Sequence, residues 1–402
     1  MKRTLNLEEP VRARRLTPGE PLIGRAHFAA AGVPEDGSNI NGPSVIRVPD
    51  WIPPDQRAHP DARHYCYFAH HAGHYIRLAW ARDIAGPWTL FNVGTQDDAR
   101  VPGRGVLDLA LHPDRRIKLP GIDHGGGAAW LGGHIASPDV NVDDVNRRIV
   151  MYFHGPGSRR SQDSFVATSG TGLNFNPPDH GGEPGHGVRS VILGGFYFKT
   201  FVVAGRTFAY ANKARLYRAP ALTAGGQAAS IANGDAPGGL WNPPQTPKPH
   251  DPYWEELSDA ANPIRKLYAQ LGLGAEDPRH FAVYHNPARD PDRIFLLHSA
   301  RNDAPERIWA TVLTLEGLTP AQRQDPANWT LAGARTELLR PEEPWEGTDR
   351  PLIPSKDGAQ TNVQQLRDPD LFEDSDGGLV LFYCGKGEEA IGAARLNNSP
   401  TG

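Results

Sequence analysis

The chain is poor in sulfur, and it has no long apolar run and no large excess of charge. Of its 402 residues only two are cysteine, Cys66 and Cys384, and two are methionine. A disulfide-stapled scaffold and a cysteine-ligated metal site are thereby excluded. Both cysteines fall inside strand-like runs and read as reduced, buried thiols; a bridge between them is the alternative, since the first and last repeats of a closed ring would meet. No stretch approaches the ~20 apolar residues that span a bilayer, so no membrane partner is expected. The opening MKRTLNLEEPVRARR has basic residues but no apolar segment behind them, unlike a signal peptide. The expected location is the cytoplasm, or outside the cell for a trimmed secreted form. A net charge of −4 argues against a nucleic-acid partner. Also missing are a Walker loop, a GxGxxG after a strand, a GxSxG elbow and an HExxH pair. No linker or low-complexity segment divides the chain, although its length alone suggests two or three domains.

Glycine (44) and proline (38) are plentiful instead, as a fold of many tight turns requires. A short pattern of strand-like runs returns five times. The first copy runs from Asn41-Gly42-Pro43-Ser44 through HYCYFAHH and YIRLAWA to GPWTLF. The second is HIASPDVNV, RRIVMYFHG and SFVATS; the third is GGFYFKTFVV, RTFAYAN and RLYRA. The fourth is RHFAVYH, RIFLLHS and RIWATVLTL, and the fifth is LRDPDLFED, GLVLFYCG and AIGAARL. Repeats of several short strands predict an all-β fold, a single five-bladed β-propeller over residues 39–397 with long loop insertions. Residues 1–38 form a leader packed on it. The largest insertion, about 225–274, is partly helical, and Pro263 must begin or break its helix. Further loops are expected over 97–133 and 176–188. Runs such as IVMYF and IFLL are nearly continuous apolar, as where both faces of a strand are buried.

Radial repetition turns an alignment of blades into geometry, because equivalent residues stand at similar height around one axis. The inner strands place Gly42, Ser137 and Asp368 in one column and Ser44, Asp139 and Asp370 in the next. Tyr197 and Lys199 occupy the inner strand of the third repeat. The second strands align Ala69, His154, Ala211, His298 and Cys384. A polar ring near an axis can meet a ligand with several side chains at once.

The segments SPDV (137–140) and RDPDLFED (367–374), with Gly86-Pro87-Trp88, resemble those of the five-bladed glycoside hydrolases of the arabinanase and β-xylosidase type, family 43 and its relatives. The resemblance implies a hydrolase acting on a small glycoside or oligosaccharide in the central pocket by carboxylate acid/base catalysis. One carboxyl would be protonated to release the leaving oxygen, the other ionised to activate water or attack. It further implies a base aspartate on the first blade, a tuning aspartate on the second and a glutamic acid beyond. Asp139 matches the second position. The first blade departs from the pattern, since Asn41 and Gly42 stand where the base belongs, and Asp368 on the fifth is the expected substitute. Glu346 is the first candidate acid and Glu183 the next. Asn41, His134, Tyr197, Lys199, Arg307 and Asp370 are expected to contact substrate. Glu306 with Arg307 reads as an ion pair, or as an arginine for a sugar carboxylate. Trp51, Trp130, Trp241, Trp254 and Trp345 are candidate sugar platforms.

Histidine is the competing signal. His134, His154, His280 and His298 fall on inner or second strands, with His70, His71, His124 and His285 near strand ends or loops. Imidazoles and carboxylates around one axis could hold a divalent cation. The cofactor expectation is therefore none, or a divalent cation. Two other readings stay open: a metal-dependent lyase or non-glycosidic hydrolase, and a non-catalytic carbohydrate-binding propeller.

Overall fold

The computed structural model describes residues 5–94, 98–123, 128–157, 162–220 and 253–398. Five antiparallel sheets stand around one axis, each presenting its first strand to the centre. The inner strands are Asn41–Arg47, Ala136–Asp143, Lys199–Val203, Pro278–Tyr284 and Arg367–Glu373. Each is followed by a second and third strand in simple meander order. The chain folds as a five-bladed β-propeller.

The apolar runs are explained by five hydrophobic clusters, one at each seam between neighbouring blades. Met151 and Tyr65 lie in the first seam, Tyr152 and Trp254 in the second, and Tyr210 and Phe281 in the third. Leu297 and Leu381 lie in the fourth, and Phe68 and Phe382 in the fifth. A strand between two seams is buried on both faces and so loses the apolar–polar alternation. Trp88 of the GPW segment is buried in the fifth seam, edge-on to Phe382.

The leader supplies a strand of its own. Val11–Arg15 pairs antiparallel with Ala390–Asn398 and becomes the outermost strand of the fifth blade. Sequence from the start of the chain thus completes the last blade, and opening the ring requires breaking that ladder. The insertion contributes the helix Pro263–Gln270, which Pro263 begins and whose first turn is capped by the Asn262 side chain. Residues 221–252, including Trp241, and His124 lie outside the described residues. The stretch expected as a loop before the second blade contains a ribbon, Arg116–Asp123 paired with Ala128–Gly132. Cys66 and Cys384 are buried, free thiols. Among the described residues no helix is long and apolar enough to cross a membrane.

Candidate functional site

Proline in the middle of a strand normally removes a ladder bond. Three inner strands carry one, in Gly42-Pro43, Ser137-Pro138 and Asp368-Pro369, and in each the register breaks around it. The residue before the proline is pushed out of the ladder with positive φ: 62° at Gly42, 46° at Ser137 and 47° at Asp368. Tyr197 (66°) and His280 (51°) take the same left-handed backbone in the other two blades. Such conformations cost side chains about 1–3 kcal/mol each and gather at functional sites. Here they build one ring around the axis, Gly42, Ser137, Tyr197, His280 and Asp368.

Two residues further along the inner strands, a second ring surrounds the axis. The inner edge of a blade leaves N–H groups without a ladder partner, and these side chains supply one across the seam. Ser44 Oγ accepts from Val140 N–H at 2.9 Å, Asp139 Oδ2 from Thr200 N–H at 2.9 Å, and Asp370 Oδ2 from Val45 N–H at 2.9 Å. Asp139 also accepts from the Thr200 hydroxyl at 2.6 Å. The Lys199 ammonium sits between the carboxylates, 3.1 Å from Asp370 and 3.7 Å from Asp139. Burial works against that charge, but Asp370 and Asp139 more than offset it and hold the amine above its ordinary value. Asp139, Lys199 and Asp370 therefore clasp adjacent blades. They also line a cavity of about 80 Å³ within the channel.

Asp368 is different. Its carboxylate is 6% exposed, with His280 Nδ1 at 3.3 Å and the Gly42 N–H donating at 3.3 Å. Burial first, then the charge of Glu388, push this carboxyl up to about 6, against the pull of Arg367 and Arg279. His280 is held well below the ordinary imidazole value by burial and by the same two guanidiniums. A neutral His280 can donate from Nδ1 to the ionised carboxylate and orient it.

Gly42 shows why the first blade has no aspartate. A Cβ there would lie 2.7 Å from the Ser137 Cα, a backbone atom that cannot swing away. With φ at +62°, no side chain fits without moving the second blade. The Asp368 carboxylate instead reaches the Gly42 amide from the neighbouring blade.

Next to this ring lies a buried chain of alternating charge that sequence reasoning did not find. Arg279 and Arg367 both clamp Glu306, at 2.9 and 2.8 Å, and Arg367 continues to Glu388 at 2.9 Å. All four side chains are 3% exposed or less. Each arginine immediately precedes its blade's ring residue, so aligning RHF with RDP is the signal that pairs them. Glu388 also accepts from Asn39 at 2.9 Å and Asn41 at 3.4 Å and faces His71 Nδ1 at 3.4 Å.

Several expected site residues are elsewhere. Glu346 is fully buried on the outer side of the fifth blade. It accepts from Arg15 at 2.8 and 2.7 Å, from the Tyr383 hydroxyl at 2.7 Å, and from the Glu342 and Glu343 amides. A carboxylate so saturated by donors is held ionised by the fold and has no proton to give. Glu183 is likewise tied to Ser169, Gly170 and Thr171. Arg307 pairs with Glu337 at 2.6 Å, not with Glu306. The four candidate metal histidines do not converge. His134 and His154 meet edge to face and His280 joins them through Tyr197, but His298 points into the third seam, 2.9 Å from the Tyr268 hydroxyl. Among the described residues no group of three His, Cys, Asp or Glu is placed to hold a metal ion. Trp254 packs on Tyr152 and Phe198, and Trp345 on Tyr383, as core rather than platform.

No family model matches the chain. It is 27% identical over 376 residues to the uncharacterized protein R118 of Acanthamoeba polyphaga mimivirus, covering 89% of this chain and 83% of that one. Among solved structures it is similar to the alpha-L-arabinofuranosidase PaAbf62A from Podospora anserina in complex with cellotriose (12% identity, 96% of this chain, 98% of that one, TM-score 0.47). Others are a GH43_1 enzyme from Xanthomonas citri (13%, 94%, 89%, 0.45) and an alpha-L-arabinofuranosidase from Lactobacillus brevis (12%, 95%, 94%, 0.44). The chain resembles family-43-type glycoside hydrolases in fold. Identities and scores of this size carry no statement about its chemistry.

Proposed function

We propose that the chain hydrolyses a small glycoside or oligosaccharide held at the ring around the axis, with Asp368 as the general base. The observation that carries this reading is a reactive carboxylate among unpartnered polar groups. Burial and the charge of Glu388 push the Asp368 carboxyl up to about 6. Around it Asn41 Oδ1, Ser137 Oγ and His154 Nδ1 are buried with no hydrogen-bond partner among the described residues. Orphaned buried acceptors and donors suit a ligand rich in hydroxyls. Tyr197 stands between His154 and His280, with ring centroids 4.5 and 4.7 Å away, and offers an aromatic edge to a sugar. The RDP motif of the fifth blade supplies this carboxylate. Base and binding groups are side chains, so the reaction as proposed requires no cofactor.

The test is hydrolysis of a panel of 4-nitrophenyl furanosides and pyranosides by the wild-type chain and by Asp368→Asn. Release of nitrophenol by the wild type, lost in the variant, supports the reading. Sugar binding without turnover, equal in both, would leave a carbohydrate-binding propeller instead.

A further inference from the structure

The proposed hydrolysis lacks an acid, because Glu346 lies in the Arg15 clamp. The leaving oxygen still needs a proton, and its donor must be part-exposed near Asp368 and held by a group that keeps it charged. His71 meets these conditions. Its side chain is 25% exposed, on the loop that follows the second strand of the first blade. Its backbone N–H donates to Asn39 Oδ1 at 2.8 Å, which fixes the loop. Its Nδ1 lies 3.4 Å from Glu388, a carboxylate locked by Arg367 and Asn39. A carboxylate on one ring nitrogen orients the imidazole and leaves the other for proton transfer.

We propose that His71, oriented by Glu388, is the general acid of this site. The inference rests on the glycoside reading above. Asp368 takes a proton from water as the water oxygen bonds to the anomeric carbon. The bond from that carbon to the leaving oxygen breaks with its electron pair, and the oxygen takes the proton from His71 Nε2. The turnover ends with Asp368 protonated and His71 neutral, and solvent carries the proton from one to the other.

The surroundings separate His71 from the other histidines. Glu388, then Asp368, hold its imidazole above the ordinary value against burial and Arg367. His134 and His154 on the second blade and His280 on the fourth are all lowered, by burial first, with the charge of His71 contributing to each. His70 beside it is lowered too, by burial and Arg77. The imidazole that holds its proton more tightly than its neighbours is the one suited to donate it.

The test compares His71→Gln with the wild type on two glycosides of the same sugar. One has a dinitrophenyl leaving group, which departs without a proton, and the other a methyl group, which needs one. The expected result is a loss of roughly 10²–10⁴-fold in kcat/KM on the methyl glycoside, with the dinitrophenyl glycoside nearly spared. The alkaline limb of the pH profile should also disappear, and Asp368→Asn should slow both substrates. Equal rates for His71→Gln and wild type, or an equal loss on both substrates, would overturn the role of His71 and leave the function standing. A wild type that cleaves neither overturns the glycoside reading and this one with it. Independently, the His71 imidazole titration followed by NMR should fall by about one pH unit in Glu388→Gln. No shift there overturns the pair.

Discussion

The first and fifth blades bring the same backbone to the axis and opposite chemistry. Asn41-Gly42-Pro43-Ser44 and Arg367-Asp368-Pro369-Asp370 share a proline bulge, a left-handed residue before it and a clasp to the next blade after it. In the first blade the left-handed residue must be glycine, because the second blade's backbone occupies the space of a side chain. In the fifth, the same position holds a carboxylate. Backbone placement and side-chain chemistry are thus separable in a propeller. A reactive group can move round the ring to whichever seam has room for it.

The largest effect should come from removing that group. Asp368→Asn is expected to lower kcat/KM by roughly 10²–10⁴-fold, the usual contribution of a positioned base. The wild-type profile should fall as pH drops through about 6, because the base works only when ionised. An acid limb well below that value would break the assignment.

Next in size is Glu346→Gln, which contrasts two buried carboxylates near the fifth blade. Glu346 is saturated by donors from the leader strand and from its own turn, whereas Asp368 has few. Removing the buried charge opposite Arg15, which then keeps only the exposed Glu342 carboxylate and the Arg340 carbonyl, should cost about 3 kcal/mol of stability, read from urea unfolding. Activity per folded molecule should stay unchanged. A catalytic defect without loss of stability would reverse the roles given to the two carboxylates.

Gly42→Asp tests whether the first blade could take its carboxylate back. The left-handed φ and the Ser137 Cα at 2.7 Å predict destabilisation of about 2 kcal/mol, and no rescue of Asp368→Asn in the double variant. Recovery of activity would show that the seam opens more easily than its geometry implies.

Much of this architecture was legible in the sequence, for physical reasons. A blade cannot bury its faces alone, so the repeat of strand triplets announces the ring. The x-Pro bulges mark which residues leave the ladder for the axis, and so pick out Asp368 and Ser137. What stayed hidden depends on contacts distant in sequence. Nothing in WEGTDRP shows that Arg15, 331 residues away, saturates Glu346. Nothing in the turn around Glu388 shows that Arg367 and His71 face it. Asp139 of SPDV reads as a tuning carboxylate from the motif it resembles, and Asp370 of DPDL as a substrate contact. Their partners, the orphan N–H groups of the neighbouring inner strand, belong to another repeat. The Arg279–Glu306–Arg367 clamp leaves no signal along the chain, because it joins the fourth and fifth blades.

Lys199→Met gives the smallest of these effects and a distinctive dependence on pH. In the folded chain Asp370 is raised by burial, and Lys199 is the chief charge that pulls it back. A carboxyl raised on folding binds its proton more tightly in the native state, so stability is present at low pH and lost as pH rises through the folded value. Without the ammonium, Asp370 and Asp139 face each other and the raise grows. The variant should therefore be about 1–2 kcal/mol less stable than wild type at neutral pH, a modest cost because the two side chains stay 12% and 10% exposed. The deficit should shrink as pH falls toward the ordinary carboxylate range. Unfolding curves at several pH values would show it. A deficit independent of pH would mean that Lys199 acts through packing, and that the second ring is held by its clasps to Val45, Val140 and Thr200 rather than by charge.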